Sequence, residues 1–242
     1  MRLSQQPAFV LHARPWRETS LLLELFTRDQ GRVGAVARGV RGPRKQPLRA
    51  ALQPFVPIAV DYAQRGELAQ LNGAEPRAGA AVLVGDRLMA GLYLNELVLR
   101  LLPRGDAHAA LFERYAHALT ELAGAGSLAW CLRRFERDLL EQLGFAPPWR
   151  EDSAGASIAP DARYRLDAES GPLPVVVGGV SGVALLALVH DIEPDSGALR
   201  ELRDALRQVI ATHLDGRPLK SWGLLARLPS SRVAPADPDS PD

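Results

Sequence analysis

The chain has 242 residues, of which 47% are hydrophobic and 24% are charged, a composition typical of one or two folded domains. Its single cysteine, Cys131, excludes an intramolecular disulfide and a cysteine-based zinc or iron–sulfur site. No apolar run reaches the roughly 18–20 residues of a membrane span, and the first residues lack the apolar segment of a secretory signal. We therefore expect a cytoplasmic protein.

The first 80 residues have the alternation and punctuation of short strands. A hairpin loop is predicted at residues 27–31, where Gly31 can adopt positive φ. Pro54 and Pro57 favour an edge or bent strand around them. The predicted strands are residues 9–11, 20–26, 32–37, 52–62 and 68–71. This pattern favours a small barrel of the OB type over residues 1–78, although another small β-fold would show the same periodicity.

Beyond residue 78 the apolar residues recur at helical spacing. Asp106 and Ser127 are the candidate N-caps of the second and third predicted helices. The first predicted helix has an apolar stripe that Leu97 and Leu101 widen. Its other members are Val84, Leu88, Leu92, Asn95 and Leu99. The later elements are a hairpin of residues 164–166 with 175–177 and helices at 181–190, 196–214 and 219–228. We therefore predict an α+β chain with a helical domain over 79–228, a hairpin insertion at about 145–179 and a disordered tail at 229–242.

Charge is distributed unevenly between the two predicted domains. Residues 1–80 hold 12 basic and 6 acidic side chains, a net charge of +6, whereas the other 162 residues hold 17 and 22, a net charge of −5. Within residues 28–49 only Asp29 opposes a set of basic residues, namely Arg28, Arg32, Arg38, Arg41, Arg44, Lys45 and Arg49. Glycines and prolines interrupt the second half of this segment, so we predict a loop and not a regular helix.

An arginine-rich loop leaving a small barrel can follow the phosphates of a nucleic-acid strand. The alternative is a loop that only increases solubility. Trp16, Phe26, Phe55 and Tyr62 are candidate stacking side chains. Phe26 and Phe55 lie in apolar runs, which favours the core for both, whereas Trp16 lies in a polar turn.

The third predicted helix has a second face rich in arginine. Arg133, Arg134 and Arg137 lie beside Phe135 at helical spacing. This face could bind an acidic peptide with an apolar anchor. From the charges alone, a solvated face neutralised by Glu136, Asp138 and Glu141 is favoured over a peptide site.

The sequence has no recognisable catalytic motif. It contains no His-Glu-x-x-His pair, no phosphate-binding loop with a following Lys-Ser/Thr, no Gly-x-Ser-x-Gly turn and no carboxylate cluster for two metal ions. We therefore predict a binding protein and not an enzyme. An unrecognised nuclease or transferase remains an alternative, because acid–base pairs are often far apart in sequence.

Several ordered sequence blocks resemble the bacterial recombination mediator RecO family. They are AFVLHARPWRETSL at 8–21, ARGVR at 37–41, LQPF at 52–55, GLYLNEL at 91–97, LRRFE at 132–136, LGF at 143–145 and GRPLKS at 216–221. The resemblance implies an N-terminal OB-fold, a C-terminal helical domain, no catalytic turnover and a nucleoid-associated location.

The resemblance also implies binding partners. Members of the family bind single- and double-stranded DNA, anneal complementary strands and bind the acidic C-terminal tail of the single-strand-binding protein. With RecR, and in some pathways RecF, they help to load RecA onto coated DNA. In this sequence the implied DNA contacts are Arg14, Arg32, Arg38, Arg41, Arg44 and Lys45, and the implied tail contacts are Arg133, Arg134, Phe135 and Arg137.

Two positions depart from the family pattern. Many members carry a four-cysteine zinc module, but residues 144–178 contain neither cysteine nor histidine, so we predict no metal and no cofactor. Trp222 stands where the family often has arginine, which leaves the role of this position open. The leading functional alternative is an OB-fold scaffold associated with RNA or the ribosome.

Overall fold

The computed structural model describes residues 1–42, 45–64 and 66–225. Within them the N-terminal part is a closed barrel with strand order β1-β2-β3-β5-β4. Strands β3 and β5 are parallel, and the other neighbours are antiparallel. The barrel elements are β1 (Arg2–Trp16), β2 (Ser20–Thr27), β3 (Gly31–Ala37), α1 (Gln46–Ala51), β4 (Ile58–Gln64) and β5 (Ala69–Pro76). The prediction of an OB-type barrel is confirmed.

The long first strand explains how a short chain closes the barrel. The first half of β1 pairs with β4 and its second half pairs with β2. The register shifts between Leu3 and Gln6 and again between Val10 and His12. Such irregularities bend a strand, which lets one strand belong to both sides of a closed sheet.

The C-terminal part consists of helices around a small sheet. Its elements are α2 (Gly85–Leu101), α3 (Ala109–Ala123), α4 (Leu128–Gln142), β6 (Arg163–Asp167), β7 (Gly171–Val175), β8 (Val180–Ser181), α5 (Gly182–His190), α6 (Ser196–Thr212) and α7 (Lys220–Leu225). Strands β6 and β7 form the predicted hairpin, but β7 ends before Val176 and Val177, which are exposed, and β8 adds a strand that was not predicted. The predicted tail lies outside the described residues. No helix among these residues is long and apolar enough to cross a membrane.

Four local predictions are wrong. The strand predicted at residues 52–62 begins only at Ile58, as β4, so Pro54 and Pro57 lie in the segment before it and not in a bent strand. The basic segment contains the short helix α1, because Pro47 lies in its first turn, where the missing N–H breaks no helical hydrogen bond. Helix α3 begins after His108, so Asp106 is not its cap.

Of the predicted α2 stripe, Leu88 and Leu92 are exposed, as is Val84, which precedes the helix. Asn95, Leu97 and Leu101 of the stripe are buried, and so is Leu94, which was not part of it.

The α2 stripe was misassigned because this helix has more than one buried side. It contacts the barrel strand β1 as well as α3, α4 and α7. A helix surrounded in this way has no single apolar stripe, so the periodicity of its sequence does not identify the buried face. Ser127, by contrast, does cap α4, since its side chain accepts a hydrogen bond from the Trp130 N–H.

The barrel and the helices share a core. Phe9 and Phe26 of the barrel pack against Phe112 and Tyr115 of α3, with ring centroids 5.1–5.8 Å apart. Buried Asn95 of α2 donates a hydrogen bond to the Leu11 carbonyl (3.0 Å) and accepts one from the Tyr115 hydroxyl (2.5 Å). This polar link satisfies a barrel carbonyl inside the core, so it fixes the position of the barrel on the helices.

The GRPLKS motif closes the C-terminal part onto α2. The Glu96 carboxylate accepts hydrogen bonds from the backbone N–H groups of Lys220 and Ser221 (2.9 Å each) and from the Ser221 hydroxyl (2.6 Å). Arg100 donates to the Arg217 carbonyl at 2.8 Å. Two family blocks that are over 100 residues apart in sequence therefore meet in one hydrogen-bonded clasp.

Candidate nucleic-acid interface

The turn between β1 and β2 and the segment after β3 meet at one end of the barrel. Leu21 pairs with Ala37, and the Arg41 N–H donates to the Thr19 carbonyl at 2.9 Å. The Lys45 N–H donates to the Gly42 carbonyl at 3.2 Å, which folds the segment back on itself. The predicted DNA contacts Arg14, Arg38, Arg41 and Lys45 lie on these segments and are exposed, and we call this set the barrel-end patch. Within it, Arg38 and Arg41 line separate depressions. Arg44, a predicted member, lies outside the described residues.

The cations of the barrel-end patch have no carboxylate partner among the described residues. None of the four lies within 4.0 Å of an aspartate or glutamate oxygen there. Their guanidinium and ammonium groups are therefore hydrated and available to phosphate oxygens. Arg14 lies over the ring of Trp16, 5.8 Å from its centroid, so this half-exposed indole could offer a base a stacking surface beside a cation.

Helix α1 brings a further cation to this end that the sequence analysis did not select. Exposed Arg49 follows Lys45 by four residues, which places both on one side of the helical turn. Arg41 and Arg49 line a depression of about 400 Å³ together with His12 and Leu92. The i, i+4 spacing of Lys45 and Arg49 places both side chains on one face only if the segment is helical. Because a loop was predicted here, the spacing did not indicate a shared surface.

Arg32 belongs to the join between the two parts of the protein and not to the barrel-end patch. Its side chain is only 19% exposed and donates a hydrogen bond to the Leu99 carbonyl of α2. Its Nε lies 3.8 Å from Glu24, which also forms an ion pair with Arg104. These contacts engage the guanidinium within the protein, so Arg32 is not counted in the barrel-end patch, and its contact with DNA stays a prediction.

Three of the four candidate stacking aromatics lie in the interior. Phe26, Phe55 and Tyr62 are buried in the shared core or the barrel core. Trp16 is 37% exposed and lies beside the barrel-end patch. Stacking at this end of the barrel therefore depends on Trp16.

Two residues of the predicted peptide site are also interior. Phe135 packs in the shared core, and the Arg133 side chain is 6% exposed. Arg133 is 2.5 Å from an oxygen of buried Glu136, which also accepts the Tyr93 hydroxyl at 2.7 Å. Burial raises the pKa of Glu136, although Arg133 and Tyr93 act in the opposite direction. The expectation that Arg133 and Phe135 contact a peptide is therefore corrected, since neither reaches the surface.

The other two predicted peptide contacts are paired internally. Arg134 lies 2.8 Å from Glu121 and 2.9 Å from Asp191, while Arg137 lies 2.7 Å from Asp138 and donates to the Leu188 carbonyl at 2.6 Å. Asp191 also lies 3.3 Å from Arg137, so this one carboxylate joins both arginines. The α4 arginines thus hold α3, α4 and the end of α5 together.

An open cavity of about 730 Å³ begins beside Arg137. Its lining combines three arginines with apolar groups and three carboxylates: Arg114, Arg137, Arg150, Ala146, Pro147, Pro148, Trp149, Val189, Glu141, Glu151 and Asp191. A cavity lined by arginines and apolar side chains can bind a short peptide with an acidic stretch and an apolar end, and here three carboxylates balance the three arginines. Arg114, Arg150 and Trp149 were not selected from the sequence, because no local motif connects them to Arg137.

The described residues contain no group of three histidine, cysteine, aspartate or glutamate side chains placed to hold a metal ion. Cys131 is buried on α4, and this burial raises the pKa of its thiol to about 12. Such a thiol is not a nucleophile at neutral pH.

Comparison with known proteins identifies the family. The family model "Recombination protein O N terminal" matches residues 1–80, and "Recombination protein O C terminal" matches residues 83–223. The chain belongs to the recombination protein O family. This family serves DNA repair and recombination.

The similarity to individual members of the recombination protein O family covers almost the whole chain. DNA repair protein RecO of Xanthomonas euvesicatoria pv. vesicatoria (strain 85-10) is 51% identical over 240 residues, which cover 96% of this chain and all of the relative. RecO of Xanthomonas campestris pv. campestris (strain B100) is 49% identical, with 94% and 98% covered. RecO of Stenotrophomonas maltophilia (strain R551-3) is 46% identical, with 96% and 100% covered.

Proposed function

We propose that this protein is a recombination mediator that binds single- and double-stranded DNA through the barrel-end patch and anneals complementary strands. The observation that carries the proposal is the set of exposed cations at one end of the barrel without carboxylate partners among the described residues. Cations on one surface reduce the repulsion between two phosphate backbones held there, so strands can pair without a change in any covalent bond.

The proposed test measures single-strand affinity against salt concentration. If about five phosphates are neutralised, the logarithm of the binding constant should fall with the logarithm of salt at a slope of roughly −3 to −4. The double variant R38A/R41A should bind more weakly and with a slope shallower by about 1.4. The matched control R28A/R77A removes two positive charges outside the patch, and Arg28 lies at the opposite end of the β2–β3 hairpin. Equal losses in both variants would contradict a defined DNA surface.

The cavity beside Arg137 is proposed as the site for the acidic tail of the single-strand-binding protein. Arg150 and exposed Arg114 supply the positive charge that a peptide can reach, and Arg114 lies 3.6 Å from Asp138. Trp149 and Val189 supply the apolar surface. Capture of this tail would localise the mediator on coated DNA and raise its effective concentration there.

The tail site is tested with a fluorescent acidic peptide ending in Pro-Phe. R114A/R150A should weaken binding of this peptide about tenfold and leave single-strand affinity unchanged, whereas R38A/R41A should do the reverse. If both pairs change both affinities equally, the division into two sites is wrong.

Loading of RecA onto coated strands, together with RecR and in some pathways RecF, is the proposed consequence of these two activities. It is tested by following RecA filament growth on strands coated with single-strand-binding protein, with RecR present. R38A/R41A and R114A/R150A should each slow filament growth, because loading needs both DNA contact and recruitment. The RNA-scaffold alternative would be favoured instead if RNA displaced DNA from the barrel-end patch in direct competition.

A further inference from the structure

The helical part has a net negative charge, yet one face of α6 is a line of arginines. Arg200, Arg203 and Arg207 are exposed and follow one another at spacings of three and four residues, so they lie along one side of the helix. The opposite side is buried through Leu202, Leu206, Val209 and Ile210. The three arginines therefore lie on the side of α6 that faces away from these buried residues.

A strand of the small sheet adds a fourth arginine to this line. Exposed Arg165 of β6 lines an open cavity of about 470 Å³ together with Arg200 and Arg203. The same cavity also holds the carboxylates of Glu201 and Asp204, which differ in how firmly other groups of the protein bind them. Glu201 accepts from Arg163 at 2.5 Å and from the Ser181 hydroxyl at 2.7 Å, so it is already neutralised.

The second carboxylate, Asp204, forms an exposed pair with Arg203 at 2.9 Å, and both side chains are more than half exposed. Exposed pairs of this kind contribute little to stability, so Arg203 can exchange its partner for a stronger anion. Together the four arginines of this surface outnumber its one loosely held carboxylate.

Trp222 fixes the position of the last arginine in the line. The Arg207 guanidinium lies over the Trp222 ring, 4.4 Å from its centroid. Trp222 is half-buried in α7, and Glu96 holds the start of this helix through Lys220 and Ser221. Trp222, which stands where the family often has arginine, thus orients Arg207 by a cation–π contact.

We propose that Arg165, Arg200, Arg203 and Arg207 form a second site for a DNA phosphate backbone, separate from the barrel-end patch. Seven residues of helix separate Arg200 from Arg207, a rise of about 10 Å, which equals about three nucleotide steps of one strand in duplex DNA. The surface lacks the apolar base that an acidic peptide would need, since its cavity is lined mainly by charged and polar groups. This second site holds the incoming strand before it reaches the barrel-end patch, where the two strands pair.

This inference rests on the proposed function, because both sites are assigned to DNA. An experiment can nevertheless contradict the second site without contradicting the barrel-end patch. The test compares R200A/R207A with R28A/R77A, which removes the same charge outside both proposed DNA surfaces. Two readouts are followed: affinity for one 40-nucleotide strand at low occupancy, and capture of a second labelled strand by the immobilised protein–DNA complex.

R200A/R207A is expected to reduce capture of the second strand and the rate of annealing about tenfold, while first-strand affinity changes less than twofold. R28A/R77A should leave both unchanged. R200K/R207K keeps the charge and should retain most of the capture, which excludes a folding defect as the cause. W222A should lower capture less than R200A/R207A does, and W222F should lower it less than W222A.

Capture and annealing at the normal level in R200A/R207A would overturn the second site without affecting the barrel-end patch. Weaker binding of an acidic peptide by R200A/R207A, with capture unchanged, would also overturn it, since the surface would then serve a protein partner. Loss of first-strand affinity in R200A/R207A but not in R38A/R41A would instead contradict the proposed function.

Discussion

The arginines at the end of the barrel and those on α4 have the same side chain in opposite surroundings. Arg38 and Arg41 are exposed and lie near no carboxylate of the described chain, whereas Arg133 and Arg137 are paired and largely buried. The first pair adds charge to a surface and the second joins helices. The role of an arginine therefore depends more on how many carboxylates pair with it in the fold than on its position in the sequence.

The largest expected effect is a difference in unfolding free energy between a buried arginine of α4 and an exposed arginine of the barrel-end patch, when each is replaced by alanine. Arg133→Ala should lower the free energy of unfolding by about 3–5 kcal/mol, because it leaves Glu136 as an unpaired buried carboxylate. Arg38→Ala should change it by less than about 0.5 kcal/mol. Urea denaturation followed by circular dichroism measures both values, and similar values would remove the distinction.

A smaller effect is expected within the barrel itself. Arg32→Ala should cost about 1–3 kcal/mol, because it leaves the Leu99 carbonyl without this donor and takes one cation from Glu24. Its affinity for DNA should stay unchanged, in contrast to Arg38→Ala. Thermal unfolding and a single-strand titration on the same samples test the pair, and the reverse pattern would return Arg32 to the DNA surface.

A third change would free Arg134 and Arg137 from a carboxylate partner, so that they can bind an acidic peptide. Asp191→Asn removes the carboxylate shared by Arg134 and Arg137, and asparagine tolerates the left-handed backbone at this position (φ 57°). We expect the acidic tail peptide to bind about two- to fivefold more tightly, a gain of roughly 0.5–1 kcal/mol. Fluorescence anisotropy measures this change. Asp195→Asn is the control, because Asp195 caps α6 and contacts neither arginine; an equal gain there would point to net charge alone.

The smallest expected effect concerns pH and the clasp at Glu96. Burial raises the pKa of Glu96, but hydrogen bonds from Ser221 and Lys220 outweigh it and hold the pKa below its usual value. The ionised form is therefore favoured in the folded protein, and its contribution to stability is present above about pH 4.5 and lost as pH falls through the lowered pKa. Glu96→Gln should unfold more easily at pH 7 and show a smaller loss of stability on acidification. An unchanged pH profile would mean that the clasp contributes nothing.

The sequence predicted the architecture well where local rules decide it. Hairpin punctuation located the barrel strands, and Ser127 marked the start of α4. It failed for α2, because a helix packed on several sides has no single apolar stripe. It also failed for α1, where proline was interpreted as a break although it lies in the first turn.

The candidate sites were predictable only in part, for a related reason. A sequence shows which residues carry charge but not which carboxylates lie opposite them after folding. Glu121 and Asp191, which pair with Arg134, come from α3 and from the residue after α5. The arginine line on α6 was overlooked, because the negative total of the helical part hid it.

The buried thiol of Cys131 makes the molecule convenient for fluorescence work. A thiol with a pKa of about 12 is almost entirely protonated at neutral pH and reacts slowly with maleimides. A cysteine introduced at Val177, which is 85% exposed in the loop after β7, would therefore take up dye selectively. One label on the protein and one on each oligonucleotide would report, by energy transfer, the order in which two strands arrive.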